Sequence, residues 1–253
     1  MPLRQSATAA INAIIRRRIR RRARARYERR HAPGPSPRTT ALIVASALFM
    51  EQLDGTVLST ALPEMARSFG TEPVRMNVAL TSYLLALAVF IPASGKVADR
   101  FGSRTVFCTA IALFTLGSAL CGQAESLGFL VGARVLQGVG GAMMVPVGRL
   151  VLLRSVTKAE MVMAMTWLMI PAQLGPLVGP PVGGFLVTYL SWRWIFYINV
   201  PLGIGAAWMV WTYVRNAAHQ VRATSIDVVG IALLALAVGS LQFVLEEGTS
   251  KDW

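Results

Sequence analysis

Histidine and cysteine are almost absent from this chain: each occurs twice in 253 residues. His31 and His219 stand far apart with no metal-ligand spacing around them, so no metal site is expected. Cys108 and Cys121 fall within one predicted helix, about 20 Å apart at 1.5 Å per residue. That is too far for a bridge, so a disulfide framework is excluded and both read as small core residues. Charge is scarce as well. Only 15% of the residues are charged and 12 are acidic, little for a soluble domain of this length. There is no Walker-type phosphate loop and no hydrolytic or redox constellation, so neither an enzyme nor a cofactor is expected. The first residues also lack the short apolar core and cleavage site of a secretory signal.

Long apolar runs fill the sequence instead. It is 54% hydrophobic with a mean hydropathy of +0.53. A bilayer span takes about 20 mostly apolar residues. Seven windows qualify: Ala41–Leu62, Met76–Lys96, Thr105–Gly122, Leu127–Leu150, Met161–Leu190, Trp194–Val214 and Ile226–Leu245. The fifth is interrupted by prolines and glycines and reads as a broken span. The expected fold is all-α and polytopic, with the lipid bilayer as its first partner. Three regions are expected: a basic arm and Pro-rich linker over 1–38, a six-helix unit over 39–214, and a loop, seventh helix and short tail over 215–253.

The net charge of +13 invites a nucleic-acid reading, but its distribution argues otherwise. Much of it sits in the first 38 residues, in runs such as Arg16-Arg17-Arg18 and Arg20-Arg21-Arg22. The rest falls in alternate loops. Lys96, Arg100 and Arg104 follow the second window, Arg154 and Lys158 the fourth, and Arg215 and Arg222 the sixth. The intervening loops hold only Arg67, Arg75 and Arg193. This alternation predicts a cytoplasmic N-terminus and, after seven spans, an external C-terminus. In the arm, Ile11, Ile14, Ile15 and Ile19 have helical spacing with arginines on the remaining face. That suits a basic amphipathic helix on anionic lipid; a disordered topology-setting tail and an RNA-binding arm are the alternatives. Only Tyr27 offers a ring to stack on bases, so no nucleic-acid partner is expected.

One feature of the first span stands out. Glu51 and Asp54 lie three residues apart, on one helical face, inside an apolar stretch long enough to cross a bilayer. A carboxylate at that depth is costly and marks a functional site by default. In the fourth span Arg134 is the matching cation. A buried guanidinium keeps its charge and needs a partner, and it acts on the proton affinity of a nearby acid. Asp54 lies about eight residues from the outer end of its span and Arg134 about seven from the outer end of its own, so both sit roughly 10–12 Å deep. Pairing between them is expected.

Four segments then point to a family. Gly95-Lys96-Val97-Ala98-Asp99-Arg100-Phe101-Gly102-Ser103-Arg104 resembles the loop signature G-x-L-A-D-R-x-G-R-[RK] of the major facilitator superfamily, departing at Val97 and Ser103. Glycines there suit a tight turn, and Asp99 can accept from backbone N–H groups at a helix N-terminus or pair with nearby arginines. Arg134-Val135-Leu136-Gln137-Gly138-Val139-Gly140-Gly141 is similar to the family's R-x-x-Q-G-x-G motif. Gly175-Pro176-Leu177-Val178-Gly179-Pro180-Pro181-Val182-Gly183-Gly184 matches its antiporter motif, G-x-x-x-G-P-x-x-G-G. Leu53 to Pro63 and Trp192 to Pro201 resemble the L-D-x-T-x-x-x-x-A-L-P and W-R-W-I-F-x-I-N-x-P segments of the drug:proton antiporter-2 family, the fourteen-helix multidrug exporters of bacterial inner membranes.

The resemblance implies proton-coupled export of lipophilic or cationic small molecules. Two six-helix domains would face a central cavity, with two linking helices between them. It implies that Glu51, Asp54, Arg134 and Gln137 serve proton coupling at the cavity. It assigns Gly175, Pro176, Gly179, Pro180, Gly183 and Gly184 to the antiporter motif, and Gly95, Asp99, Arg100, Gly102 and Arg104 to the cytoplasmic gate. Seven windows make only about half of such a transporter. The sequence therefore suggests a first half that is inactive alone, its partner a missing C-terminal half. The alternatives are a half-transporter that assembles with a second copy, or a membrane anchor with no transport role.

Overall fold

Helices begin and end here where short signals in the sequence direct. In the computed structural model of the chain, residues 36–214 and 228–250 are described. The basic arm, both histidines, the loop over 215–227 and the last three residues lie outside them. α1 (Pro37–Phe69) starts at Ser36, whose hydroxyl accepts from the Thr39 N–H at 3.2 Å, with proline in the first turn, where its missing N–H costs nothing. It stops at Gly70, which takes the left-handed conformation at φ 61°. α2 (Pro73–Phe101) and α3 (Ser103–Gly122) are separated by Gly102 alone, at φ 93°. α4 (Leu127–Ser155) starts at Ser126, which caps the Phe129 N–H at 3.3 Å. α5 (Met161–Tyr189), α6 (Trp194–Tyr197), α7 (Asn199–Tyr213) and α8 (Val228–Ser250) complete the order.

Six of these segments are long and apolar enough to cross a membrane, α6 and α7 counting together as one. α8 follows as a further 23-residue helix against α2, with Gly239 set close to Val89; its described apolar stretch is Ala232–Leu241. α1, α3 and α4 are the most enclosed, whereas α2, α5 and α6–α7 turn most of their surface outward. Leu177, Ile204, Trp208 and Trp211 are among the large apolar side chains so exposed. That suits an environment of lipid, where exposing such a residue carries no penalty.

One sequence expectation changes. α5 is one continuous helix through Pro171, Pro176, Pro180 and Pro181, and not a broken span. Its glycine face packs closely along α1, and a neighbouring helix of this kind lets a membrane helix keep its path around missing backbone bonds. The sixth window runs as one span from Trp194 to Tyr213, the backbone staying helical at Ile198 (φ −60°, ψ −29°) between α6 and α7. Pro201 has no N–H to donate to the carbonyl four residues back, at Tyr197, so the helix is weakest at that point.

Two apolar clusters form the interior. One gathers Val44, Leu48, Phe107, Phe114, Met144 and Leu152; the other gathers Leu53, Leu58, Met65, Met76, Leu130 and Phe196. Along α3, α4 and α7 the change from one cluster to the other falls at Ser118, Arg134 to Gln137, and Asn199, and on α1 it falls between Met50 and Leu53, next to Asp54. A polar layer thus divides two apolar ones.

Candidate functional site

Four helices, α1, α3, α4 and α7, supply the polar layer. Asp54 of α1 is buried at 3% exposure, and Arg134, Gln137, Ser118 and Asn199 are fully buried. The Asp54 Oδ2 accepts from Arg134 Nη1 at 2.7 Å. Its Oδ1 accepts from Gln137 Nε2 at 2.9 Å and from Asn199 Nδ2 at 2.7 Å. Gln137 turns its other end to the cation, its Oε1 accepting from Arg134 Nη1 at 2.6 Å and from the Cys121 thiol at 3.8 Å. Ser118 accepts from Gln137 Nε2 at 3.3 Å and from Asn199 Nδ2 at 3.0 Å, and donates to the Phe196 carbonyl at 3.0 Å. Arg134 also donates from Nε to the Ala79 carbonyl at 3.3 Å, and its guanidinium lies 4.2 Å from the Tyr83 ring centroid.

Such a layer is stable only because most of its donors and acceptors are matched. An unpaired ion buried there would cost several kcal/mol, while a hydrogen bond to a charged group contributes about 1.5–3 kcal/mol. In and beside this layer three buried atoms lack a partner among the described residues: Glu51 Oε2, Arg134 Nη2 and Asn199 Oδ1. Glu51 is one turn from Asp54 and buried at 8% exposure. It does not join the pair. A Cβ built on Gly141 would stand 3.6 Å from Glu51 Oε1 and 3.0 Å from the Tyr83 hydroxyl, so these two polar groups converge on that glycine.

The R-x-x-Q-G-x-G segment also explains how α4 gets so close to its neighbours. A Cβ at Gly138 would meet the Tyr83 carbonyl at 2.8 Å, and one at Gly140 would meet the Phe114 N–H at 2.5 Å. Bare backbone at these positions wedges α4 between α2 and α3 and brings Arg134 and Gln137 to Asp54.

The Gly175-to-Gly184 segment divides in two. Gly175, Gly179 and Gly183 form one stripe against α1, where added Cβ atoms would collide with Gln52, Thr56 and Thr60 in turn. Gly184 faces open space, Pro180 is exposed and Pro176 half-buried. The stripe is a packing device for the helix that bears Asp54.

The loop after the second window departs further from expectation. Gly95 lies inside α2 with nothing near it, and Gly102 alone makes the turn. Asp99 therefore sits in the last turn of α2 and not at a helix N-terminus. It accepts from Arg154 Nη2 of α4 at 2.6 Å. Arg104 donates to the Trp211 carbonyl and lies over that ring, its guanidinium carbon 4.6 Å from the centroid, while Arg100 lies over Phe101 at 5.6 Å. The partner of Asp99 is 55 positions away, which is why the loop itself did not reveal it.

Sequence reasoning named Asp54, Glu51, Arg134 and Gln137 but missed Asn199, Ser118 and Tyr83. Neutral polar residues in a span give no charge signal. The Asn199 of the W-R-W-I-F-x-I-N-x-P segment, two residues before a proline, was the one clue present.

Comparison with known proteins agrees with this architecture. Residues 44–245 match the Major Facilitator Superfamily. The "Putative multidrug resistance protein MdtD" of Cronobacter sakazakii is 51% identical over 205 residues, 81% of this chain and 43% of that protein. The protein of the same name from Klebsiella pneumoniae subsp. pneumoniae is 49% identical over 222 residues, 86% of this chain and 47% of that protein. The chain thus spans less than half the length of these curated relatives. In fold it is similar to the human organic anion transporter MFSD10 (TM-score 0.63, 14% identity, 79% of this chain and 53% of that one). It is also similar to a bacterial homologue of the human lysosomal transporter Spinster, in an inward-facing and unoccupied conformation (TM-score 0.62, 17% identity, 72% of this chain and 44% of that one). Six apolar spans, the polar layer and a match over 44–245 together make this chain a member of the Major Facilitator Superfamily.

Proposed function

We propose that this chain provides the first six-helix domain of a proton-coupled exporter of drugs or other lipophilic small molecules in the bacterial inner membrane. The observation that carries the proposal is the Asp54–Arg134 pair, closed at 2.7 Å and buried inside two apolar spans. A carboxylate retained at that depth is there to be used. Protonation of Asp54 would release Arg134 from its ion pair, which gives the domain two electrostatic states. The names of the relatives supply the substrate class. The glycine stripe, similar to an exporter motif, supports the direction of transport.

Alternating access takes two domains rocking about a shared site. A second set of six helices, from a longer chain or a second copy, is therefore part of the proposal. So is the orientation. Arg104, Arg154 and Lys158 cluster at one end of the spans, which suits a cytoplasmic face.

In a transporter completed with its second domain, Asp54→Asn should abolish proton-driven efflux of lipophilic cations while the protein remains inserted. Unchanged dye efflux would remove Asp54 from the mechanism. Residues 1–253 expressed alone should insert yet give no drug resistance in an efflux-deficient host. A phosphatase reporter fused after Lys251 should be active and one fused near Gln220 silent; the opposite pattern would invert the topology.

A further inference from the structure

The two carboxylate oxygens of Asp54 are not equivalent. Oδ2 faces Arg134 Nη1, and a guanidinium has donors only. A proton arriving at Asp54 therefore settles on Oδ1. That oxygen is addressed by two amide donors, Gln137 Nε2 and Asn199 Nδ2. Once Oδ1 carries hydrogen, its O–H is a donor facing donors, and one of them must give way to an acceptor.

Gln137 is not free to turn. Its Oε1 is fixed by Arg134 Nη1 at 2.6 Å and by the Cys121 thiol, and a half-turn would aim its NH2 group at the guanidinium. Asn199 is free. Its Oδ1 is buried and has no partner among the described residues, so turning the amide breaks no bond on that side. Ser118 can follow: its hydroxyl, which accepts from Asn199 Nδ2 and donates to the Phe196 carbonyl, can rotate away from that carbonyl to donate to the turned amide.

From this geometry we infer that Asn199 is a positioning residue that reads the protonation state of Asp54 by a half-turn of its side-chain amide, donating to the carboxylate and accepting from the carboxylic acid. The inference rests on Asp54 being the proton site. The proton comes from water, adds to Oδ1, and leaves from it; no other bond forms or breaks. The ionisable groups around Asp54 are Glu51 on its own helix, Tyr83 on α2, Cys121 on α3 and Arg134 on α4. None of them offers Oδ1 a hydrogen-bond acceptor in the present arrangement. The orphaned oxygen of Asn199 is thus explained as the acceptor of the other state.

The test is an infrared pH titration of the 253-residue chain in lipid nanodiscs, with and without isotope-labelled asparagine. Acidification should raise a carboxylic C=O band that is missing in Asp54→Asn. With the same midpoint, a label-sensitive asparagine amide band should shift, and this shift should vanish in both Asp54→Asn and Asn199→Leu. In Asn199→Leu the Asp54 acid band should move to higher wavenumber, because its O–H has lost its acceptor. A residue that merely supports packing would leave that band in place. Absence of any Asp54 band would overturn the proton-site reading and this inference with it. A titrating Asp54 band with a static asparagine signal in the unaltered chain would overturn the amide switch alone, with no variant needed to fold.

Discussion

Two acid–arginine pairs tie α4 to its neighbours, and they are almost equal in length. Asp54–Arg134 closes at 2.7 Å and Asp99–Arg154 at 2.6 Å. Their surroundings differ completely. The side chains of the first are 2% and 0% exposed, those of the second 38% and 24%. Distance alone therefore says little about what a pair contributes. Within the polar layer each charge depends on its partner, and removing one leaves the other stranded. At the half-exposed end, water and headgroups stand ready to replace whichever partner leaves.

The contrast is broken most directly at Arg134. Arg134→Leu should destabilise the inserted domain by about 3–5 kcal/mol, since Asp54 is left charged and buried. Adding Asp54→Leu should recover most of the loss, as exchange of a whole buried pair for apolar groups is often neutral. Denaturant-induced unfolding in detergent micelles reads both, and a double variant no better than the single would refute the paired account.

Next comes the stripe that holds the Asp54 helix. Gly179→Val drives a branched side chain into Thr56. A loss of about 1–3 kcal/mol, typical of overpacking, is expected by the same unfolding measurement. Gly184→Val, at an open position, should cost far less, and equal losses would mean that the stripe has no special role.

Arg154→Ala sharpens the comparison from the other side. The expected cost is about 0.2–1 kcal/mol, shrinking as salt rises. A loss as large as that of Arg134→Leu would make the two pairs alike after all.

The smallest effect lies in the loop before α5. Glu160 Oε2 accepts from the Thr157 N–H at 3.1 Å and its hydroxyl at 2.8 Å, and these bonds hold its carboxyl below the usual 4.5. A depressed carboxylate stabilises the loop above its ordinary value and loses that contribution as pH falls through the lowered one. Hydrogen exchange at the Thr157 amide should quicken on acidification through that range, and Glu160→Gln should weaken the change.

Much of this was legible in the sequence. Six of the seven hydropathy windows are spans among the described residues, and Asp54 and Arg134 announce themselves as charges where charges are costly. Their pairing followed from matched depths in two spans. What stayed hidden depends on contacts between distant segments. Asn199 and Ser118 are ordinary residues until α3 and α7 bring them to one oxygen. Gly95 and Gly102 look alike in one motif, yet only the second turns the chain. Four prolines read as a break in α5, yet the helix runs through them with its glycine face close against α1.

That single-residue link at Gly102 has a mechanical consequence. Two successive virtual bonds of 3.8 Å keep the ends of α2 and α3 within about 7.6 Å of each other in any conformation. No slack exists to let one lag behind the other. Any movement of the C-terminal end of α2 must drag the foot of α3, and α3 holds Ser118 beneath Asn199. The elbow behaves as a crank, gearing displacement at one membrane face to the interior layer without any flexible tether between them.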